Sequence, residues 1–391
     1  MGKARRIRLS RRQLVLLIVA AALALACALC VLGYRLTSRT LDTQKAAERW
    51  AGEGEQSFAQ VSCFMPDGNT LTLNNIYAFR NEMYKKLHEA ALDIDNDNTL
   101  LEDAWSCFGK VKVANGKRSG DVRVTAVGGN YFDFHPLRLV SGNYIRPDDL
   151  MKDRVMLDRD TAWLLFGGTE LTGMSFRING IPYVVAGVYE HEDDHYSKKA
   201  YGETGMAIYM SYEGYCALFD QSAGAVPDGG ADAQSGGAAQ TASSDAAGIT
   251  CYEIVMAEPV SNFVYSAVKD KFPLGSGVIV DNSHRYDTEK IWKLAKDISS
   301  RSMQGSAVVY PYWENAARGT EDTCAFLMLG AIATGAFPLV YLIVLLIMCC
   351  VRGKNRLEDE LLPAWKDKIG EAIRVRERRR WEKKHPNERK E

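Results

Sequence analysis

His191-Glu192-Asp193-Asp194-His195 is the densest set of metal-ligating side chains in the sequence, two imidazoles four residues apart with three carboxylates between them. On a helix, positions i and i+4 share a face, and imidazole with carboxylate suits zinc and other first-row metals. The run directly follows a strand-like segment, where a charged stretch is ordinarily a solvated loop. His191 and His195 therefore stand as candidate ligands, and no metal or other cofactor is assigned. A second cluster is basic: Arg374, Arg376, Arg378, Arg379 and Arg380. Such a cluster suits an anionic lipid surface or a protein contact, and its place beside an apolar segment argues against nucleic acid. Among nine cysteines, Cys216 and Cys251 bracket a flexible insert whose base a disulfide would close, and Cys63 with Cys107 is the next pair. Connectivity stays open. The sequence contains no G-x-S-x-G elbow, no H-E-x-x-H and no protease-type cysteine and histidine signature, so the expectation is a non-enzyme.

The elements that would position these residues begin with two apolar runs. Leu14 to Leu32 is uninterrupted, and Phe326 to Val351 is broken only by small residues and Pro338. Each is close to the ~20 residues that cross a hydrocarbon core as a helix. The net charge of −1 is unevenly spread: +6 on residues 1–13, +5 on residues 352–391, and −12 between. Basic clusters flank each run on one side, which places both termini in the cytosol and residues 34–325 outside, at the plasma membrane. For the first run, a cleaved signal peptide shares the same order of basic then apolar residues, but the stretch exceeds the usual h-region, which favours an uncleaved anchor. Cys63, Cys107, Cys216, Cys251 and Cys324 then face a compartment where disulfides persist.

Between the runs the pattern is α/β. Residues 58–64 read as a strand, and 75–92 as a helix with Ile76, Phe79, Met83 and Leu87 inward. Val122, Val124 and Ala126 alternate with polar residues. Asn179-Gly180, flanked by Phe176, Ile178, Ile181, Tyr183 and Val185, predicts a type I′ hairpin. Residues 221–248 hold 19 Gly, Ala or Ser among 28 and no aromatic, which predicts a disordered linker. Strands at 252–256, 277–281 and 308–309 then alternate with helices at 260–272 and 288–303.

Val124 to Ile145 and Val155 to Tyr189 carry a longer pattern: Tyr131-Phe132, Ser141-Gly142, Ala162 to Gly167, Thr172-Gly173 and Val184 to Val188. In that order these segments resemble the MacB-like periplasmic core domain. The resemblance covers residues 34–351. MacB and its FtsX, LolC and LolE relatives are membrane subunits of type VII ABC systems, in which a cytosolic ATPase moves an outer domain. The resemblance implies a porter-like half at 58–130 and 249–310 and an inserted β-rich lobe at 131–215. With a stalk at 33–57, a shoulder at 311–325 and a basic tail at 352–391, this gives an α+β extracytoplasmic domain between transmembrane helices at 14–32 and 326–351. Family members carry two further helices, so a form reduced to two is expected. No G-x-x-x-x-G-K-[ST] loop is present, so an ATPase would act in trans.

Two functions remain: a permease-like subunit, as a homo- or heterodimer, coupling an ATPase to the outer domain, or an anchored sensor or interaction module without one. Residues 357–380 combine Leu361, Leu362, Trp365, Ile369, Ile373 and Val375 with many charges, an amphipathic helix for a lipid surface or for the ATPase. Tyr310, Tyr312 and Trp313 precede the second run, where aromatic rings anchor a membrane interface; the alternative is a motion-transmitting shoulder. Gly330, Ala331, Ala333, Gly335 and Ala336 offer a close-packing helix face.

Overall fold

The computed structural model describes residues 10–54, 56–66, 68–90, 100–201, 205–224, 248–273, 277–297, 310–356 and 362–384. They fall into a membrane unit, Met1–Gly33 with Leu327–Glu391, and an outer unit, Tyr34–Phe326. Helix α1 (Arg11–Thr37) has 27 residues, about 40 Å of rise, and contains the first apolar run.

The outer unit opens with a 3-10 turn, Asp42–Gln44, and α2 (Ala46–Ala51). It continues as β1 (Phe58–Phe64), α3 (Leu73–Glu89), β2 (Leu101–Asn115), β3 (Arg118–Gly129), α4 (Tyr131–Phe134), β4 (Arg138–Gly142) and β5 (Arg154–Asp158). Then come α5 (Arg159–Leu165), β6 (Ser175–Ile178), β7 (Ile181–Glu190), α6 (His195–Tyr201), β8 (Ala207–Ser211), α7 (Tyr212–Gly224), β9 (Cys251–Ala257), α8 (Phe263–Lys271), β10 (Val278–Asp281) and α9 (Thr288–Asp297).

Local chemistry accounts for several of these boundaries. Thr72 and Asn75 form a reciprocal capping box that starts α3, and α3 buries the anticipated Ile76, Phe79, Met83 and Leu87. At the hairpin between β6 and β7, Asn179 and Gly180 take φ of +48° and +90°, the two positive values a type I′ turn requires. Residues 221–224 complete α7, residues 225–247 lie outside the described residues, and Ile249 then bridges to Leu71. The expected strand at 308–309 and the end of the helix beyond Asp297 also lie outside the described residues.

Ten strands form one sheet in the order β10-β1-β9-β2-β3-β8-β5-β7-β4, with β6 pairing β2 and β7. The β3/β8 and β5/β7 pairs are parallel. Alternation along each strand gives the sheet two apolar faces. One holds Val61, Cys63, Tyr252 and Ile254 under α3 and α8; the other holds Phe64, Tyr131, Tyr189, Tyr209 and Cys251. Residues 58–130 and 249–310 contribute strands β1, β2, β3, β9 and β10, residues 131–215 contribute the others, and the two sets are joined edge to edge in this sheet.

The last described elements are α10 (Tyr312–Arg356), 45 residues long with Pro338 inside it, and α11 (Leu362–Lys384). Within the membrane unit, α1 meets α10 at small residues. The Cys27 thiol donates to the Ala331 carbonyl at 3.3 Å. A Cβ added at Gly335 or Gly330 would lie 3.0 Å from Cys27 Sγ or 3.3 Å from Cys30 Sγ, which is the close approach small residues permit.

Candidate functional site

The first turns of α10 are built into the outer unit. Trp313 is 2% exposed; its ring lies 4.4 Å from His135, 5.6 Å from Phe108 and 5.9 Å from Tyr131. Tyr310 packs edge-on to Phe64 at 5.4 Å, and Tyr312 stacks on Tyr201 at 4.0 Å. Both Tyr312 and Tyr201 donate hydroxyl hydrogen bonds to Glu192, at 2.8 and 3.1 Å. The membrane-interface expectation for these aromatics is therefore corrected: they fill the second face of the sheet because β1 and β8 present Phe64 and Tyr209 there and α4 adds Tyr131, a surface that flat rings complement.

A buried ionic network holds the next turn. Arg285, in the turn after β10, donates through Nη1 and Nη2 to Glu314 Oε2 and Oε1 at 2.7 and 2.8 Å, and through Nε to Glu321. Arg318 donates to Glu314 Oε1 at 2.8 Å while lying 3.6 Å from the Tyr310 ring centroid. Burial alone would depress the Arg285 pKa, but Glu314 and Glu321 outweigh it and hold the guanidinium well above its ordinary value. Arg285 Nη1 also reaches Gln44 Oε1 at 3.3 Å, so the network joins α10 to the segment that follows α1.

That segment is keyed to the sheet as well. Buried Gln60 on β1 accepts from the Ala46 amide and donates to the Thr43 carbonyl, both at 3.0 Å. Arg49 donates to the Asp133 and Phe134 carbonyls at 2.7 and 3.1 Å. Beneath Trp313, His135 contacts Glu253, which accepts from the Ser62 hydroxyl at 2.7 Å. Both connectors leading from the apolar helices thus enter the sheet through buried polar contacts.

The candidates singled out from sequence lie elsewhere. Helix α6 begins at His195, so His191 and His195 never share a helical face. His191 Nε2 donates to the Gly205 carbonyl at 2.8 Å. Glu192 serves Tyr201 and Tyr312, Asp193 pairs with Lys198, and Asp194 accepts from the Tyr196 and Ser197 amides, both at 2.9 Å. Among the described residues no group of three or more such side chains is placed to hold a metal. Cys251 sits on the second face of the sheet while Cys216 packs against the first, so a bridge between them would have to pass through the sheet. Cys63 and Cys107 share a face, but β9 separates their strands; two strand spacings are about 9.5 Å, beyond disulfide reach. The anticipated bridges are corrected accordingly.

The tail arginines lie on α11 with exposed side chains. At 100° per residue, Arg374 and Arg378 share one side and Arg376 and Arg380 another. Leu362, Trp365, Ile369 and Ile373 form an exposed stripe on the first half. Sequence reading missed Arg285, Gln60 and the pair of His135 and Glu253. Only Glu253, a lone acid in the otherwise apolar run Cys251 to Ala257, left a signal.

Two helices long and apolar enough to span a bilayer, with a mixed sheet domain between them in sequence, describe a membrane protein with an extracytoplasmic α+β domain. The profile of the MacB-like periplasmic core domain matches residues 14–247, more than half of the sequence, and the chain belongs to that family. No curated protein matches it. Among solved structures it is similar to the extracellular domain of the noncanonic ABC-type transporter YknZ from Gram-positive bacteria, at 13% identity, covering 57% of this chain and 99% of that one, with a TM-score of 0.35. It is also similar to the periplasmic region of MacB from Actinobacillus actinomycetemcomitans, at 14% identity, covering 62% and 94%, with a TM-score of 0.36.

Proposed function

We propose that this chain is a permease-type subunit that couples a cytosolic ABC ATPase, supplied in trans, to displacement of its outer domain. Both termini are cytoplasmic in this reading, and the working form is a homo- or heterodimer. The observation that supports it best is α10. One continuous helix carries Trp313 and Glu314, at 2% and 1% exposure within the outer core, and an apolar stretch long enough to cross a bilayer. A helix that only anchored a sensor needs no buried ion pairs at its outer end. The basic α11 is the segment assigned to the ATPase, with Arg374, Arg376, Arg378, Arg379 and Arg380 as contact residues.

The test is a crosslink and pull-down from native membranes, comparing the full chain with one truncated after Lys354. Recovery of an ATP-binding protein with the full chain alone supports coupling. Recovery of the chain without any ATPase in either form sinks it and leaves the anchored sensor. Labelling of cysteines introduced near each terminus, from either side of sealed vesicles, checks the orientation.

A further inference from the structure

A cavity of 380 Å³ lies in the outer unit between α3 and the segment linking β4 to β5. Helix α3 and strand β2 supply Tyr77, Arg80 and Trp105 to its wall, and the opposite side supplies Phe132, Arg146 and Lys152. A second cavity of 340 Å³ adjoins it and shares Phe132 and Arg146. The volume lies in the range of small-molecule sites, about 300–1,000 Å³, and the lining combines aromatic rings with charged side chains.

The donors in this wall are held in place without being used up. Arg80 gives Nε and Nη2 to Asp103 at 2.9 and 2.6 Å, and its guanidinium lies 5.5 and 5.9 Å from the Tyr77 and Trp105 ring centroids. That carboxylate does not occupy Nη1. Trp105 is 6% exposed, and among the described residues its indole N–H has no hydrogen-bond partner, an uncommon state for a buried donor. Gly128, on the same wall, makes room for it: a Cβ there would fall 2.2 Å from Trp105 Nε1. Among the described residues Arg146 is tied only to nearby aspartates, through Asp148 and its own backbone N–H to Asp149, and Lys152 donates to the Pro147 carbonyl at 2.9 Å. The acids in the wall are Glu102, Asp103 and Glu213, and Asp103 is engaged by Arg80. Glu102 is raised above its ordinary pKa, chiefly by burial, which disfavours its charged form.

We propose that this cavity binds a small amphipathic carboxylate, an aromatic or branched acyl acid up to about the size of a dipeptide. Lys152, Arg146 and Arg80 take the carboxylate, and Tyr77, Trp105 and Phe132 flank the apolar body, close enough to the buried Trp105 indole N–H for it to report occupancy. This binding does not depend on an ATPase and holds for either reading of the chain's function.

The test uses the full chain in lipid nanodiscs with 15N-labelled indoles, N-acetyl-L-phenylalanine as the acid probe, its amide as the neutral counterpart and phenethylamine as the cationic one. Trp105→Phe identifies the Trp105 Nε1–H resonance. The acid is expected to move that resonance saturably and the other two to leave it in place. Arg146→Glu and Lys152→Glu, neither in the core, are each expected to weaken the acid about tenfold, the ratio that one lost charged contact produces, with the thermal midpoint unchanged. Equal shifts from the amide or the amine, no shift from the acid, or acid binding indifferent to both variants would overturn the proposal.

Discussion

Arg285 is 4% exposed and faces two carboxylates, so its contribution depends on all three charges being present together. Arg285→Leu leaves Glu314, at 1% exposure, with Arg318 alone. Breaking a buried pair from one side costs about 3–5 kcal/mol, and we expect a loss of that order in chemical denaturation of the full chain. Arg285→Leu combined with Glu314→Leu should recover part of it, because the most deeply buried carboxylate leaves with its partner, while Glu321 and Arg318, which lose Arg285 and Glu314, keep side chains 13% and 15% exposed to solvent. A double variant no more stable than the single one would contradict this account. Glu102 makes a pH-dependent prediction. Burial raises its folded pKa, so the folded state holds a proton that the unfolded chain has released. Its stabilising effect is full below the ordinary carboxylate pKa and is lost as pH rises through the raised folded value. Thermal midpoints measured across that window should fall more steeply in the parent than in Glu102→Gln.

At the scale of elements, Asp158 shows how one side chain sets the register of three. Its carboxylate accepts from the Asp160 and Thr161 amides at 3.1 and 3.0 Å, capping α5, and from the Ala207 amide of β8 at 3.0 Å. Asp158→Ala removes a cap, about 1 kcal/mol, and strands a buried amide, about 1–3 kcal/mol more. Asp158→Asn, which keeps an acceptor, should cost less than half as much in the same unfolding measurement. This cap was not legible beforehand, although the segment around it was, because the Ala207 contact spans 49 residues and local pattern carries no such information. The hairpin at Asn179-Gly180 and the inward face of α3 were legible because turn sterics and helical period act locally. Strand β2 escaped notice for a different reason. Its burial does not follow a simple alternation: Asp103 and Ser106 are buried beside Ala104, Trp105 and Cys107 because both sides of the strand are covered. Arg285 lay in what read as a polar turn, and only the fold brings Glu314 and Glu321 to it.

For the whole outer unit, the decisive feature is the shared sheet. The resemblance to a porter-like half with an inserted lobe suggests two parts that could unfold separately. Against that, β3 pairs with β8 over residues 123–127 and 207–211, and β2 is long enough to pair with β9 at one end and with β6 at Val113 and Ala114. The first apolar face is also continuous across the seam, with Val61 and Ile254 in the same cluster as Leu157, Val185 and Ile208. Exposing either part strips apolar area from the other, and burial at about 25 cal/mol per Å² makes that coupling large. We therefore expect one cooperative transition for residues 34–326. Native-state hydrogen exchange of the full chain in nanodiscs, followed through rising urea, should release the amides of β1 and β9 together with those of β5 and β7. If β5 and β7 lost protection at clearly lower urea, the lobe would be a separate folding unit, and displacement entering through α10 and the Arg285 network would end at the first half of the sheet rather than reach the lobe.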